Sequence, residues 1–314
     1  MKTDGVIVWA FRRQIGKLAI ETRGTGDGMR HRAVIAGWLT IFVSGCAALG
    51  PNANQGPDSK TWELRRDLSR QARQAAEARE FDRALRLLGE LAEADPRSAE
   101  APARMGSIFE ELGQTEKAAE AFERALSRDG NAVDALIGLG RIELIQGKPQ
   151  EALERFDAAI EIDPGQASAH VGRGRALEQM NRTDEALASY FRALRHEPDT
   201  LAALNRVATI QLERSQPESA LARLDHLVEL ASEDAETRVL RGQARLALGL
   251  IQEAIDDLRF ASDHLPDRAD VALLLALAFE QANDQPAARD AIARAMELDP
   301  MSPTVREHAE RLWR

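Results

Sequence analysis

Apolar residues recur every three or four positions along most of this chain, and turn-forming residues interrupt them at regular intervals. Residues 133–166 illustrate the pattern. Apolar positions follow helical spacing over 133–145, a break follows at Gly147, and a second apolar stripe runs from Ala152 to just before Pro164. This spacing predicts two amphipathic helices joined by a short turn.

The same pattern repeats every 34 residues, which predicts an array of stacked units rather than one globular core. Alanine occupies one position of every unit: Ala84, Ala118, Ala152, Ala186, Ala220, Ala254 and Ala288. A second position is small: Ala72, Gly106, Gly140, Gly174, Ala208, Gly242 and Ala276. A third is large and apolar: Leu88, Phe122, Phe156, Tyr190, Leu224, Leu258 and Ile292. We expect the small residues to let the two helices of a unit approach closely, and the large residue to fill the gap to the next unit. Because no single hairpin buries enough apolar surface, the units must stack.

The turn inside each unit has its own periodic signal. Glycine, asparagine or serine occupies the position equivalent to Gly147: Gly113, Asn181, Ser215, Gly249 and Asn283. Glycine and asparagine tolerate the left-handed backbone conformation that commonly ends a helix. We therefore expect the first helix of each unit to end at these positions.

This combination closely resembles the tetratricopeptide repeat family over residues 65–302. The resemblance implies an all-α fold, a right-handed α-solenoid of about seven helix-turn-helix units. The units are 65–98, 99–132, 133–166, 167–200, 201–234, 235–268 and 269–302. Residues 303–314 are expected to form a C-terminal capping helix, because a repeat array needs a polar outer face at its end. The apolar segment Val271–Phe279 is either buried beneath that cap or a surface for a partner or for self-association.

The resemblance also implies where a partner binds, since the first helices of this family line the concave side of the superhelix. The candidate residues on that face are Arg104, Ile137, Arg141, Val171, Arg175, Asn205 and Arg206. Because a guanidinium fork suits a carboxylate, we expect an extended or helical segment with acidic and apolar groups to dock there. The alternative is that Arg141 and Arg175 pair with Glu110, Glu143 or Glu178.

The amino-terminal segment does not repeat. Residues 29–46 hold a basic stretch followed by an uncharged apolar stretch of signal-peptide length, which ends at Val43-Ser44-Gly45-Cys46. This segment resembles the signal peptide and lipobox of bacterial lipoproteins, and the resemblance implies that Cys46 is lipidated. The alternative is an uncleaved anchor or an incidental apolar run with an ordinary buried thiol at Cys46.

The segments on either side follow from this reading. Residues 1–28 are expected to be a non-structured extension upstream of a translation start at Met29. Residues 47–64 are expected to be a flexible tether. The protein is then a lipid-anchored protein of the cell envelope, on the periplasmic side. The alternative is a cytoplasmic or simply membrane-anchored adaptor without lipidation.

Composition narrows the function. The formal net charge is −10 and aromatic residues make up 4% of the chain, which argues against nucleic-acid binding. No metal or cofactor site is expected: the six histidines are interpreted as surface residues, and the acid pairs Glu110-Glu111 and Asp256-Asp257 as solvated helix faces. Gly172-Arg173-Gly174-Arg175 lies within a predicted helix with no preceding strand, so it is not a dinucleotide-binding loop. The sequence therefore predicts a non-enzymatic scaffold that binds other proteins.

Overall fold

The computed structural model describes residues 59–313, and this part of the chain consists of α-helices joined by short turns, without β-strands. In chain order the helices are α1 Ser59–Glu77, α2 Phe81–Ala94, α3 Glu100–Glu111, α4 Thr115–Arg128, α5 Val133–Ile145, α6 Pro149–Ile162, α7 Ala167–Gln179, α8 Thr183–His196, α9 Leu201–Glu213, α10 Pro217–Leu230, α11 Ala235–Ala247, α12 Ile251–His264, α13 Ala269–Gln281, α14 Gln285–Leu298 and α15 Pro303–Trp313. Each odd-numbered helix up to α13 pairs with the even-numbered helix that follows it, which gives seven hairpins. Helix α15 packs on α14. The predicted all-α solenoid of seven units and a final helix is confirmed.

Each hairpin packs against the next through a large side chain on its second helix. The ring of Phe156 lies between two glycines, Gly140 on its own hairpin and Gly172 on the next. A Cβ atom at these glycines would come within 2.8 Å and 2.2 Å of the ring. Phe122 lies in the same way between Gly106 and Gly138. The second glycine of each pair was not identified from the sequence as a packing residue, and it lets the first helix of the next hairpin approach the ring.

The predicted packing residues all lie in the interior. They are Ala84, Gly106, Ala118, Gly140, Ala152, Gly174, Ala186, Ala220, Gly242, Ala254 and Ala288, and each is buried. The large residues between hairpins are buried as well, and Phe122, Phe156 and Tyr190 have no exposed surface. These residues pack successive hairpins against one another.

The turns within the hairpins share one backbone conformation. The φ angle is positive at every position named from the sequence, from 55° at Ser215 to 75° at Gly249. After α5, Lys148 N–H donates to Glu143 O (2.9 Å) and Gly147 N–H to Leu144 O (3.1 Å), which is the Schellman arrangement. Arg79 ends α1 in the same way, with φ 59°. It was missed because arginine gives no turn signal, although it lies 34 residues before Gly113.

The last hairpin resolves the alternative for Val271–Phe279 in favour of burial. Phe279 is buried in a cluster that includes Val305 and Leu312 of α15, and Val271 is buried in a separate cluster with Val239 and Ala261. The outward side of α15 carries Trp313, which is 52% exposed. Helix α15 therefore covers the apolar end of the array.

One predicted boundary needs correction. The tether was placed at residues 47–64, but α1 begins at Ser59, so residues 59–64 are helical. The helix can begin there because the last proline before it is Pro57, and no glycine or proline follows within α1. The predictions for the extension 1–28, for the signal peptide 29–46 with Cys46, and for residues 47–58 concern a part of the chain outside the described residues.

Candidate functional site

A cleft of about 650 Å³ opens on the layer formed by the first helices of hairpins two to five. Every residue that lines it comes from α3, α5, α7 or α9. They are Glu110, Arg141, Leu144, Ile145, Arg175, Glu178, Gln179 and Arg206. The cleft therefore holds three arginines, two glutamates and one strongly exposed apolar side chain, Ile145, which is 74% exposed.

One end of the cleft is closed by an ion pair between neighbouring hairpins. Arg141 on α5 donates to both carboxylate oxygens of Glu110 on α3, at 2.7 and 2.6 Å. The bond to Glu110 raises the pKa of Arg141 against the opposing effect of burial. The sequence left two alternatives for Arg141, a free arginine that binds a partner or an ion pair with a glutamate. The structure has the ion pair. Glu110 is correspondingly not a solvated carboxylate, because it serves as the partner of Arg141.

Glu178 on α7 organises the other end of the cleft. Arg206 on α9 donates to both of its oxygens, at 3.1 and 2.6 Å, and the Tyr190 hydroxyl donates to it as well. Burial, reinforced by the bond to Glu178, raises the pKa of Tyr190. Glu178 thus accepts three hydrogen bonds from Arg206 and Tyr190, and it forms no ion pair with Arg175. One oxygen of Glu143 accepts a hydrogen bond from Arg155 at 3.2 Å, and its other oxygen is buried without a partner in the described part of the chain.

Arg175 lies between these two ion pairs and differs from both neighbouring arginines. It is exposed, and within residues 59–313 it makes no ion pair or side-chain hydrogen bond. The cleft carries one more positive than negative charge, in a chain whose net charge is −10. A free guanidinium with planar donors is suited to a carboxylate from outside.

The other predicted groove residues lie elsewhere. Ile137 and Val171 are 3% and 9% exposed, so they belong to the core and offer a partner little surface. Arg141 and Arg175 lie one turn later on the same side of their helices, and there they line the open cleft. Asn205 is half-buried. Arg104 pairs with Glu100 at 3.1 Å and lines a separate cleft.

A buried charge cluster in the sixth hairpin was missed. Asp257, expected on a solvated face, is 1% exposed. It accepts hydrogen bonds from Arg238 (3.3 Å), Arg241 (2.8 and 2.6 Å) and Arg245 (2.5 Å). Two units earlier, Arg173 makes the equivalent contacts with Asp157 (2.7 Å) and Ser189 (2.6 Å). Arg173 and Arg241 lie 68 residues apart, which is two repeat periods. This equivalence is the sequence signal that could have predicted the charge cluster around Asp257.

His170 also departs from the expected surface position. It is 3% exposed, its Nε2 lies 3.0 Å from Pro164 O, and its ring stacks on His196 with centroids 5.6 Å apart. Its Nδ1 has no hydrogen-bond partner within the described part of the chain. Burial lowers the pKa of His170, with His196, Arg192 and Arg173 adding to the effect.

Residues 59–313 contain no group of three or more His, Cys, Asp or Glu side chains placed to hold a metal ion. No helix in that range has the length and apolar character needed to span a bilayer.

The chain matches a known protein family. Two family models, both described as tetratricopeptide repeat, match the chain: one over 103–167, 208–261 and 239–303, the other over 143–210. No curated protein sequence is significantly similar to it.

Among solved structures, the chain is similar to YrrB, described as a TPR protein with an unusual peptide-binding site. That match has 23% identity and a TM-score of 0.56, and it covers 62% of this chain and 99% of YrrB. It is also similar to PilF of Pseudomonas aeruginosa, with 18% identity and a TM-score of 0.61, covering 68% of this chain and 97% of PilF. The match to the APC/C hetero-tetramer Cut9-Hcn1 has 16% identity and a TM-score of 0.62, and it covers 77% of this chain but only 48% of that one. At these identities the likeness concerns the fold.

Proposed function

The chain belongs to the tetratricopeptide repeat family, and we propose that it is a scaffold that captures an acidic segment of another protein in the cleft around Arg175. Proteins of this family generally mediate protein–protein interactions. The described residues hold no metal cluster, and no observation on them points to catalysis. The single observation that carries the proposal is an exposed arginine without an ion pair, set between two arginines that have one.

The proposed ligand follows from the chemistry of the cleft. A carboxylate placed beside Arg175 lies within the field of three guanidinium groups, of which two are already neutralised by Glu110 and Glu178. An apolar group next to that carboxylate can cover Ile145, which is otherwise 74% exposed. The ligand is therefore a segment that places an acidic residue beside an apolar one.

The experiment is a binding titration followed by fluorescence anisotropy. The probe is a fluorescein-labelled peptide carrying leucine beside two aspartates, and its control replaces the aspartates with lysines. We expect the acidic peptide to bind and Arg175→Glu to weaken binding by about tenfold or more, with a strong dependence on salt.

Arg192→Glu is the matched control, because Arg192 is exposed on the second helix of the same hairpin and lies outside the cleft. It introduces the same charge change and should leave binding nearly unchanged. Equal binding of the acidic and basic peptides, or equal losses in the two variants, would refute the proposal.

We further propose that the scaffold is held at a membrane by lipid on Cys46, after the Val43-Ser44-Gly45 sequence, and faces the periplasm. The support is the position of the chain's sole cysteine at the end of a basic and apolar segment. Two acyl chains attached there would anchor the protein stably. The alternative is a cytoplasmic adaptor.

A clickable fatty acid separates the two locations. Label on the wild-type protein and none on Cys46→Ser supports the anchor. Absence of label on both proteins rejects it and leaves the cleft proposal intact.

A further inference from the structure

A second cleft, of about 300 Å³, lies near the amino-terminal end of the array. Its apolar wall is formed by Ala72 and Ala76 of α1, Leu88 of α2 and Ile108 of α3. Its rim carries both signs of charge, from Arg73, Glu77, Arg104 and Glu111, together with the hydroxyl of Ser107. The mixed rim selects no net charge, so the apolar wall sets what this cleft can take.

Both clefts lie on the same layer of first helices. Ser107, on the rim of the second cleft, precedes Arg141 by one 34-residue period, and Glu111 precedes Ile145 in the same way. The clefts therefore occupy equivalent positions on successive hairpins. A ligand that crosses the first helices meets them one after the other.

We propose that the scaffold recognises its ligand at two points: an apolar side chain in the cleft between α1 and α3, and a carboxylate at Arg175 on α7. This inference rests on the proposed function and specifies its ligand. The first helices α3, α5 and α7 contact one another in succession. Packed helices lie 8–10 Å apart, so the two points are separated by roughly 20–25 Å. An extended chain rises about 3.3 Å per residue, so about six to eight residues separate the two groups.

A set of peptides tests this spacing directly. Each fluorescein-labelled peptide carries one leucine and one pair of aspartates, separated by two or by seven glycine and serine residues. We expect the seven-residue spacer to bind about tenfold more tightly than the two-residue spacer, because only the longer one buries the leucine while the aspartates reach Arg175. Replacing the leucine with serine in the longer peptide should cause the same loss. Equal binding of all three peptides would overturn the inference.

Two variants of the pocket wall provide the complementary control. Ala76→Leu fills the cleft and should abolish the advantage given by the leucine, while Ala76→Ser keeps the space and should retain it. Both should keep the helical circular dichroism of the wild type.

The outcomes separate the two proposals. Binding that needs Arg175 but ignores the leucine and Ala76 rejects only the two-point inference, whereas binding that ignores Arg175 rejects the proposed function as well. Two further peptides end at the aspartate position, one with a free carboxyl terminus and one with an amidated terminus. Comparing their binding shows whether the carboxylate at Arg175 comes from a chain terminus or from an internal acidic residue.

Discussion

The packing of Phe156 against Gly172 yields a prediction whose sign opposes helix propensity. Alanine favours a helix by about 0.8–1.0 kcal/mol over glycine, so Gly→Ala inside a helix ordinarily stabilises. At Gly172, however, the new Cβ would lie 2.2 Å from the Phe156 ring, and neither the ring nor the helix can shift freely in a fully packed interior. Overpacking of this kind costs about 1–3 kcal/mol.

Gly89 provides the matched control, because it lies inside α2 and a Cβ there meets nothing within 4 Å. Gly89→Ala should therefore stabilise by up to about 1 kcal/mol. We expect Gly172→Ala to be less stable than Gly89→Ala by about 1–3 kcal/mol.

The assay is urea unfolding followed by circular dichroism. The midpoints of the variants are compared, because long repeat arrays can lose two-state behaviour. In a Phe156→Leu background, which shortens the offending side chain, the cost of Gly172→Ala should shrink. If Gly172→Ala and Gly89→Ala stabilise the protein equally, the packing argument for the repeat is refuted.

Five further substitutions test the buried aspartate cluster, the buried histidine and the turns within the hairpins. Asp257→Asn should destabilise the protein by roughly 3–5 kcal/mol, measured by urea unfolding, because it leaves partly buried arginines without their central carboxylate; the exposed neighbour Asp256→Asn should cost under 0.5 kcal/mol. The pKa of His170 is lowered in the folded protein, so folding favours its neutral form. The contribution of His170 to stability is complete above its unfolded pKa of about 6.5. That contribution is lost as the pH falls from there towards the lower pKa of the folded state. His170→Phe should therefore flatten the unfolding midpoint between pH 7 and 5, and an unchanged slope would contradict this. Ser215→Gly should stabilise by up to about 1 kcal/mol, because Ser215 has φ 55°, whereas Gly147→Ala, at φ 71°, should destabilise by a similar amount.

The fold was predictable because its determinants are local and periodic. The positions equivalent to Gly147 and the small residues such as Gly140 recur in every unit, so each weak signal is repeated several times. The left-handed conformation of Arg79 could not be predicted from its residue type, because arginine does not favour that conformation. It follows from the position of Arg79 in the repeat. The start of α1 at Ser59 was missed because the non-repeating segment offers no period to extend.

The site was predictable only in part, because partners on different helices decide the role of a charged residue. Arg141 and Arg175 occupy the same position in successive units. Arg141 forms an ion pair with Glu110, whereas Arg175 is exposed and forms no ion pair within the described residues. Ile137 and Val171 lie one turn before these arginines, and a helical stripe does not reveal which turn faces the neighbouring hairpin. Asp257 resembles an exposed acidic residue until α11 places three arginines around it.

Photo-crosslinking from the cleft shows which kind of segment the cleft captures. A benzophenone amino acid replaces Ile145, which is 74% exposed beside Arg175, and a control places it at Ile162, which is 41% exposed on the second helix of the same hairpin. We expect position 145 to crosslink to a protein segment rich in carboxylates, Arg175→Glu to abolish this product, and position 162 to give none of it. The same product from both positions, or one that persists in Arg175→Glu, would contradict the claim that the cleft captures an acidic segment.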